Sequence, residues 1–482
     1  MLLGAYGGNV MVFSSLEFLF VFLPIFLVLY YCLPAKFRNG LLFVGSLLFY
    51  GFGEPTYLLL ILYSVLVNYL LGLLIGNCKA YPIRKRLLLI ISLLYNFGLL
   101  FYFKYMDFFL ENINAVLRLS GSSLQFNLLQ LVLPLGISFY TFQIVSYIID
   151  VYRGSVPVEK SFVNLGAYLC MFPQLIAGPI VVYSDIRKAL EKREISICNL
   201  DEGLKIFILG LGSKVILANR IGTLWNDICM IGYESISTPL AWLGALAYSL
   251  QLYFDFWGYS LMAIGLGKML GFDMPENFRH PYTARCVTDF WRRWHITLGA
   301  WFREYVYIPL GGNRKGRFKT IRNLFIVWFF VGFWHGADWN FILWGLLIFV
   351  LQIVEKNFLL PHLKKDNIIA KILSHTYMVF YILVSWTIFA ISDFHQLKIY
   401  LARMFPFFGI GSAINPIDFL KYLANYAPLL IICLIFCTDL PQKLLQRLEQ
   451  KIVSVGFSLA VFWYAVYYLS IGLNNPFLYF RF

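Results

Sequence analysis

The chain has 482 residues, of which 60% are apolar and 13% are charged. A globular domain carries roughly 25% charged residues, so this composition excludes a soluble enzyme, a disordered protein and a fibrous protein. A membrane-spanning helix takes about 20 residues, so a chain of this length has room for about a dozen spans with their connecting loops. We interpret the net charge of +14 as Lys and Arg held in cytoplasmic loops, and we expect no nucleic-acid partner.

Eleven apolar runs predict membrane-spanning helices. They cover residues 16–33, 41–53, 57–75, 87–103, 126–148, 203–219, 236–258, 321–350, 368–391, 418–437 and 455–472. The run 321–350 is interrupted by His335, Asp338 and Asn340, and it predicts either one tilted helix or two pieces. We therefore expect an all-α fold, a polytopic integral membrane bundle of about eleven transmembrane helices that forms a single membrane-embedded domain over 1–482.

The stretch 162–183 is apolar but contains Pro173, Gly178 and Pro179. A proline in a helix interior removes a hydrogen bond and clashes with the preceding turn. Irregular backbone is tolerated at membrane depth only where protein or water covers it. The sequence therefore predicts a re-entrant or broken segment at this place.

Two basic loops give the predicted orientation. Residues 76–86 contain four Lys or Arg and no acidic residue, whereas residues 268–322 contain eleven Lys or Arg and four Asp or Glu. The second loop thus carries +7, half of the whole net charge. Because cytoplasmic loops are enriched in Lys and Arg, we predict that both loops are cytoplasmic, which requires that 162–183 does not cross the membrane.

The segment 278–313 is aromatic and basic but not hydrophobic enough to span. If it is helical, four residues share one face at i, i+3, i+4 and i+7: Asp289, Arg292, Arg293 and Ile296. An amphipathic helix at the cytoplasmic interface explains this pattern. The alternative is a bent helix that dips toward a buried site and carries His295 into it.

Ionisable residues also occur inside the apolar runs. Such groups are costly at membrane depth and rarely face lipid. The imidazole of His335 is suited to general-base catalysis near neutral pH, and a hydrogen-bonded structural histidine is the alternative. Asp338 either orients His335 or forms the polar end of a helix. Asp255 needs a partner, for which we consider a histidine or an Arg of 278–313, in a functional or a purely structural pair.

A basic glycine-rich loop, GGNRKGR, occupies residues 311–317. Its Asn313 and Arg314 are candidates for binding an anionic acyl donor, such as the phosphates of CoA or of a carrier. Anchoring to phospholipid headgroups is the more ordinary explanation of such a loop. The loop is not a P-loop, because the GxxxxGK[ST] spacing is absent.

These motifs resemble the membrane-bound O-acyltransferase family, and within it the bacterial alginate O-acetyltransferase branch. The matching strings are MVFSSLEFLFVFLP (11–24), LPLGISFYTFQIVSYIIDVYRG (133–154), FPQLIAGPI (172–180), PENFRHPY (275–282), DFWRRWHITLGAWFREYVYIPLGGNR (289–314), FWHGADWNFILWG (333–345) and NPFLYFRF (475–482). Together they cover most of the chain. Because they begin at Met11, we expect residues 1–10 to be either an N-terminal extension or the result of a misplaced start.

The resemblance implies a bundle of about eleven spans, with re-entrant and interfacial helices, around a central tunnel. It implies that His335 is the catalytic histidine, a general base toward an acceptor hydroxyl. The second site histidine is His295, which would orient the acyl donor or stabilise the oxyanion. The further candidates for the donor site or the tunnel are Asp255, Asp289, Arg292, Arg293, Trp334, Asp338, Asn313 and Arg314. We expect no metal site.

By this resemblance the chain is an O-acetyltransferase of the bacterial cytoplasmic (inner) membrane that acetylates an exported polysaccharide or envelope glycan, as in alginate O-acetylation. The donor would be acetyl-CoA or an acyl-carrier thioester, with no bound cofactor, and an extracytoplasmic partner protein would finish the transfer. A teichoic-acid D-alanyl transferase is the alternative within the superfamily. A proton-coupled transporter or flippase and an inactive scaffold are alternatives of other classes.

Several positions depart from the usual pattern of the branch. Trp257 and Leu261 stand where the branch has Ser and Asp, and Ile348-Phe349 stands where a second His-Gly is frequent. The sequence Phe389-Ala390-Ile391 replaces an aromatic-Arg-Ala motif. These changes remove polar groups that the branch would place around the tunnel.

Overall fold

The computed structural model describes residues 11–78, 80–408, 415–441, 443, 451–472 and 478. Within these ranges the secondary structure is helical, and the only strand-like pairing is one antiparallel bridge between Phe278 and Trp294. The all-α fold class is therefore confirmed. The expected extension 1–10 and all of the motif 475–482 except Leu478 lie outside the described residues.

The structure describes α-helices along the whole of these ranges. In chain order they are α1 (Leu23–Cys32), α2 (Ala35–Gly53), α3 (Leu58–Asn77), α4 (Pro82–Leu100), α5 (Met106–Leu119), α6 (Ile137–Arg153), α7 (Phe162–Cys170), α8 (Phe172–Leu175), α9 (Tyr183–Glu191), α10 (Ile197–Gly212), α11 (Asn219–Ile231), α12 (Thr238–Met269), α13 (Val287–Arg293), α14 (Ile296–Phe302), α15 (Arg317–His335), α16 (Trp339–Val354), α17 (Leu360–Leu363), α18 (Ile368–Ala390), α19 (Phe394–Met404), α20 (Phe419–Phe436) and α21 (Lys451–Ser470).

Six helical stretches among the described residues are long and apolar enough to cross a membrane. They are Pro55–Asn77, Pro82–Leu119, Trp339–Leu363, Ile368–Ala390, Phe419–Phe436 and Val453–Ser470. Each coincides with part or all of a predicted run, so the chain is a multi-pass membrane protein. The number of about eleven spans stays a prediction.

Two of the predicted runs do not form single helices in the structure. The run 126–148 is not one helix, because α6 begins only at Ile137. Gly136 precedes α6 with a φ of 73°, a left-handed conformation that ends any helix entering from the N-terminal side. The run 321–350 is two helices, α15 and α16, which is one of the two forms that its polar interruption predicts.

The chain divides into two compact units. The first contains the described residues within Met1–Phe207 together with Met262–Pro275, and the second contains those within Ile208–Leu261 and Glu276–Phe480. Helices α10 and α12 each contribute residues to both units. A single domain over 1–482 stays a prediction.

The broken segment of 162–183 belongs to the first unit, where it forms α7 and α8. The amide of Phe172 donates a hydrogen bond to Ser46 Oγ at 3.0 Å, and Gln174 Nε2 donates to the carbonyl of Tyr168 at 2.6 Å. Side chains thus bind backbone groups that the break leaves without helical partners. The break is confirmed, whereas the re-entrant path through a membrane stays a prediction.

Candidate active site

The helices α15 and α16 of the second unit form a tight hairpin that ends α15 at His335. A Cβ atom at Gly332 or at Gly345 would lie 2.4 Å from a backbone carbonyl oxygen of the facing helix. No real Cβ makes such a contact, so only glycine allows the two helix backbones to approach this closely. The hairpin therefore fixes the position of the last turn of α15, on which His335 lies.

His335 is buried, with 4% of its surface exposed, and aromatic rings surround its imidazole. The ring centroids of Trp334, Trp344 and Phe389 lie at 5.0, 5.1 and 5.3 Å from that of His335, each nearly perpendicular to it. Edge-to-face contacts of this kind stabilise the orientation of a ring. The hairpin and α18 thus enclose His335 in an aromatic pocket.

His295 lies at the joint between α13 and α14, and its backbone is left-handed with φ 46° and ψ 54°. This conformation is uncommon for a residue other than glycine. The element is therefore bent at His295, and the side chain is 2% exposed. The prediction that Asp289 and Ile296 share one helical face is wrong, because α13 ends at Arg293 and Ile296 begins a new helix.

The imidazole of His295 lies among polar and aromatic groups of the second unit. Its Nδ1 is 3.0 Å from Asn277 Oδ1, and its ring meets that of Phe256 edge-to-face at 4.7 Å between centroids. Burial lowers the pKa of His295 to about 3, because the charged imidazolium loses its hydration there. His295 is therefore neutral at physiological pH.

Trp334 is the residue that connects the two histidines. Its ring centroid lies 6.1 Å from that of His295 and 5.0 Å from that of His335, and its side chain is buried. The structure thus brings both predicted site histidines, together with Trp334, into one buried region of the second unit.

Asp255 does form a buried ion pair, but the expected partners are wrong. Its Oδ1 lies 2.6 Å from Lys214 Nζ, and both side chains are 2% exposed. Its Oδ2 accepts the backbone amide of Leu478 at 2.9 Å. Lys214 was not predicted as the partner, because it lies inside the apolar run 203–219. The contacts of Asp255 are those of a structural pair that also binds the backbone of Leu478.

Asp338 caps α16. Its carboxylate accepts the amide of Trp339, the first residue of α16, at 2.8 Å, and Asp is a preferred residue at this N-cap position. Of the two alternatives for Asp338, the structure supports the polar end of a helix.

The other predicted donor-site residues lie nearer the surface. Asp289 and Arg293 form an ion pair at 2.9 Å, with about a third of each side chain exposed. Arg292, Asn313 and Arg314 are exposed. The structure does not bring these five side chains into the buried region around the two histidines. Among the described residues, no group of three His, Cys, Asp or Glu side chains is arranged to hold a metal ion.

Two buried residues that were not predicted hold the bent element. Asn277 contacts His295, as described above. Glu355, which is fully buried, accepts hydrogen bonds from the amides of Val287 and Thr288 and from the Thr288 hydroxyl, and thereby binds the first turn of α13. A carboxylate at the end of an otherwise apolar run was the available signal for Glu355.

The departures from the branch pattern are filled by apolar packing. Trp257 stacks on Tyr253 with the rings 5.5 Å apart and nearly parallel, and Ile348 is fully buried. Phe389 is one of the three rings around His335. The chain therefore has apolar contacts at several positions where the branch has polar groups.

Comparisons with known proteins show which family and which relatives this chain resembles. Residues 156–386 match the model of MBOAT, the membrane-bound O-acyltransferase family. A probable alginate O-acetylase (AlgI) of Pseudomonas putida is 45% identical over 70% of this chain and 68% of its own length. A probable alginate O-acetylase of Azotobacter vinelandii is 40% identical, over 82% and 78%. A peptidoglycan O-acetyltransferase of Helicobacter pylori is 37% identical, over 79% and 77%.

Proposed function

Because the chain belongs to the membrane-bound O-acyltransferase family and is a membrane O-acetyltransferase, we propose that His335 and His295 form its active site. The observation that carries this proposal is the burial of both histidines around the shared ring of Trp334. The acceptor is a hydroxyl of an exported polysaccharide or another envelope glycan. The names of the relatives, which act on alginate and on peptidoglycan, support a glycan.

In the proposed reaction His335 is the general base. Its imidazole takes the proton of the acceptor hydroxyl, and the oxygen attacks the carbonyl carbon of an acetyl thioester. The carbon–sulfur bond then breaks, the acetyl ester forms, and the leaving thiolate takes the proton from the imidazolium. The aromatic rings around His335 limit the access of water, which would otherwise hydrolyse the thioester.

His295 acts on the acyl donor in the same step. A neutral imidazole next to the reacting carbonyl can either orient the donor or stabilise the oxyanion of the tetrahedral intermediate. Because burial holds the pKa of His295 at about 3, it does so without a positive charge.

The donor is acetyl-CoA or an acyl-carrier thioester that approaches from the cytoplasm, and the acetyl group leaves through a tunnel toward the outer face. The basic loop 311–317 supports a cytoplasmic approach, because Asn313 and Arg314 are exposed and an anionic donor is attracted to such charges. We further propose that the protein lies in the bacterial inner membrane and delivers acetyl to an extracytoplasmic partner protein.

The test is acetylation in cells that lack the gene and receive either the wild type or His335→Ala at equal membrane abundance. Acetate released from the envelope by mild alkali measures the ester content. In cells that receive His335→Ala, we expect the ester content to fall to the level of cells that lack the gene. The exposed His375 provides the matched control, since His375→Ala should acetylate as the wild type does.

Each alternative class gives a different result. If His335→Ala acetylates as well as the wild type, the catalytic role of His335 is wrong. A teichoic-acid D-alanyl transferase would change alkali-released D-alanine instead of acetate. A transporter would show proton-coupled flux in proteoliposomes without acyl transfer. If the protein is a scaffold, acetylation would require its presence but not His335.

A further inference from the structure

Two segments of the second unit pair across the bend that carries His295. Phe278 and Trp294 form an antiparallel bridge. The amide of Arg279 donates to the carbonyl of Arg293 at 2.9 Å, and the amide of Ile296 donates to the carbonyl of Asn277 at 3.0 Å. These backbone bonds place Asn277 beside His295 and support the uncommon left-handed conformation of His295.

The side-chain amide of Asn277 has a definite orientation. Its Oδ1 accepts the Thr297 hydroxyl at 2.9 Å and lies 3.4 Å from the Thr297 amide nitrogen, and its Nδ2 donates to Ser260 Oγ at 3.1 Å. A backbone N–H can only donate, so the oxygen and not the nitrogen of the amide faces Thr297. That same oxygen is 3.0 Å from His295 Nδ1.

An amide oxygen only accepts hydrogen bonds, so Nδ1 of His295 must carry the hydrogen. A neutral imidazole has one N–H, which leaves a lone pair on Nε2. The surroundings favour the neutral form, since His295 is 2% exposed and Asn277 is 1% exposed, and the imidazole contacts the rings of Phe256 and Trp334.

Charged groups on the surrounding elements are mostly paired with one another. Six of them form the three ion pairs Asp255–Lys214, Asp289–Arg293 and Glu276–Arg279. His335 is a further titratable neighbour, on the far side of Trp334. The surrounding elements also carry His280, the exposed Arg292, and Tyr253 and Tyr259 of α12. The carboxylates of Asp255, Asp289 and Glu276 thus each have a cationic partner of their own.

We propose that Asn277 is a positioning residue that fixes His295 as the Nδ1–H tautomer, so that Nε2 accepts a hydrogen bond from an N–H or O–H group of the bound substrates. This proposal rests on the proposed function of the site, and it decides between the two roles left open for His295. A nitrogen with a lone pair can orient the acyl donor by accepting a hydrogen bond from it. Such a nitrogen cannot donate a hydrogen bond to an oxyanion.

The direct test is nitrogen NMR of the full-length protein labelled with ¹⁵N-histidine in lipid vesicles. The resonances of His295 are assigned by their loss in His295→Gln. We expect a protonated Nδ1 and an unprotonated Nε2 throughout about pH 5 to pH 8. A hydrogen on Nε2 in the wild type would overturn the proposal. This measurement needs no acyl transfer. The tautomer of His295 can therefore contradict this proposal while the His335→Ala experiment supports the proposed function, and the tautomer can be as expected while that experiment contradicts it.

Two substitutions of Asn277 separate positioning from a merely structural role. Asn277→Leu keeps the size but removes the acceptor, so we expect the two tautomers to mix and kcat/KM with acetyl-CoA to fall about ten-fold. Asn277→Asp keeps an acceptor, so the Nδ1–H should be retained. Its carboxylate should also raise the pKa of His295 by about 1–3 units, which the NMR titration measures.

The control is Asn357→Leu, since Asn357 is exposed and contacts neither histidine; it should change neither the spectrum nor kcat/KM. Loss of activity in Asn277→Leu with the wild-type tautomer intact would mean that Asn277 only supports the fold, and would overturn the proposal. If Asn277→Leu does not fold, the wild-type spectrum and the Asn277→Asp titration still decide.

Discussion

The two histidines of the site are held in different ways. His335 ends a helix of 19 residues and lies among three aromatic rings, whereas His295 joins two helices of 7 residues each and contacts the amide of Asn277. Rings fix the plane of an imidazole without selecting its tautomer, whereas an amide oxygen selects it. The difference suits the two proposed roles. His335, as the base, must gain and lose a proton, whereas His295 must keep one ring nitrogen as a hydrogen-bond acceptor.

The largest expected effect separates the two roles directly. His335→Gln should lower kcat for acetyl transfer by about 10²–10⁴-fold, because it removes the general base. His295→Gln should lower kcat/KM by only about ten-fold, because it removes one hydrogen bond to the substrates. Both are measured on purified protein in vesicles with labelled acetyl-CoA.

This pair of variants can also reverse the assignment. If His295→Gln loses more activity than His335→Gln, then the histidine with the fixed tautomer is the base. Circular dichroism and thermal unfolding of both variants provide the control for folding.

The next largest effect concerns the bend that carries His295. Glu355→Leu removes the acceptor for the amides of Val287 and Thr288, so the first turn of α13 loses its support. Stability should fall by about 1–3 kcal/mol. Activity should fall by about 10–100-fold if the movement of His295 reaches about 1 Å. Thermal unfolding and kcat/KM measure the two effects.

Glu355→Gln provides the graded control, because its amide oxygen can still accept from one of the two backbone groups. The neighbouring Lys356 is exposed, and Lys356→Ala should leave both quantities unchanged. Full activity in Glu355→Leu would show that α13 holds its position without this carboxylate.

A third variant acts on the region of His335 alone. Gly345→Val places atoms where a Cβ would already meet the carbonyl oxygen of Trp328 at 2.4 Å, so α15 and α16 must separate. We expect a loss of about 1–3 kcal/mol in stability, measured by thermal unfolding in detergent. Gly456→Val is the matched control, because no atom lies within 4 Å of a Cβ at Gly456. Equal effects of the two variants would contradict the close packing of the hairpin.

Much of this fold could be predicted from apolar runs alone. The polar interruption of 321–350 predicted a possible division at His335, and Pro173 predicted the break in 162–183. These features depend on neighbours along the chain, which a sequence displays directly. The start of α6 at Ile137 was not predicted, because it depends on the left-handed conformation of Gly136.

The polar contacts of the site could not be predicted in the same way. Asp255 and Lys214 lie on different helices, and each alone reads as a charge in an apolar run. Asn277 reaches His295 only because the bridge between Phe278 and Trp294 aligns their segments. Contacts of this kind depend on tertiary packing, so a single sequence indicates that a buried charge needs a partner but not which residue supplies it.

The smallest expected effect follows from the neutral state of His295. In the unfolded chain a histidine takes up a proton near pH 6.5, whereas in the folded protein the pKa is about 3. The unfolded state therefore binds more protons between these values. The contribution of His295 to stability is complete above about pH 6.5 and is lost as the pH falls through about 3. Between pH 7 and pH 6 the loss is about 0.7 kcal/mol.

The measurement compares the pH dependence of the unfolding free energy in the wild type and in His295→Gln, so that all other titrating groups cancel. The slope of the wild type should be the steeper one. His375→Gln, at an exposed position, should keep the wild-type slope. If His295→Gln keeps it too, His295 is protonated as readily in the folded protein as in the unfolded chain, and the contrast between the two histidines would have to be drawn from their packing alone.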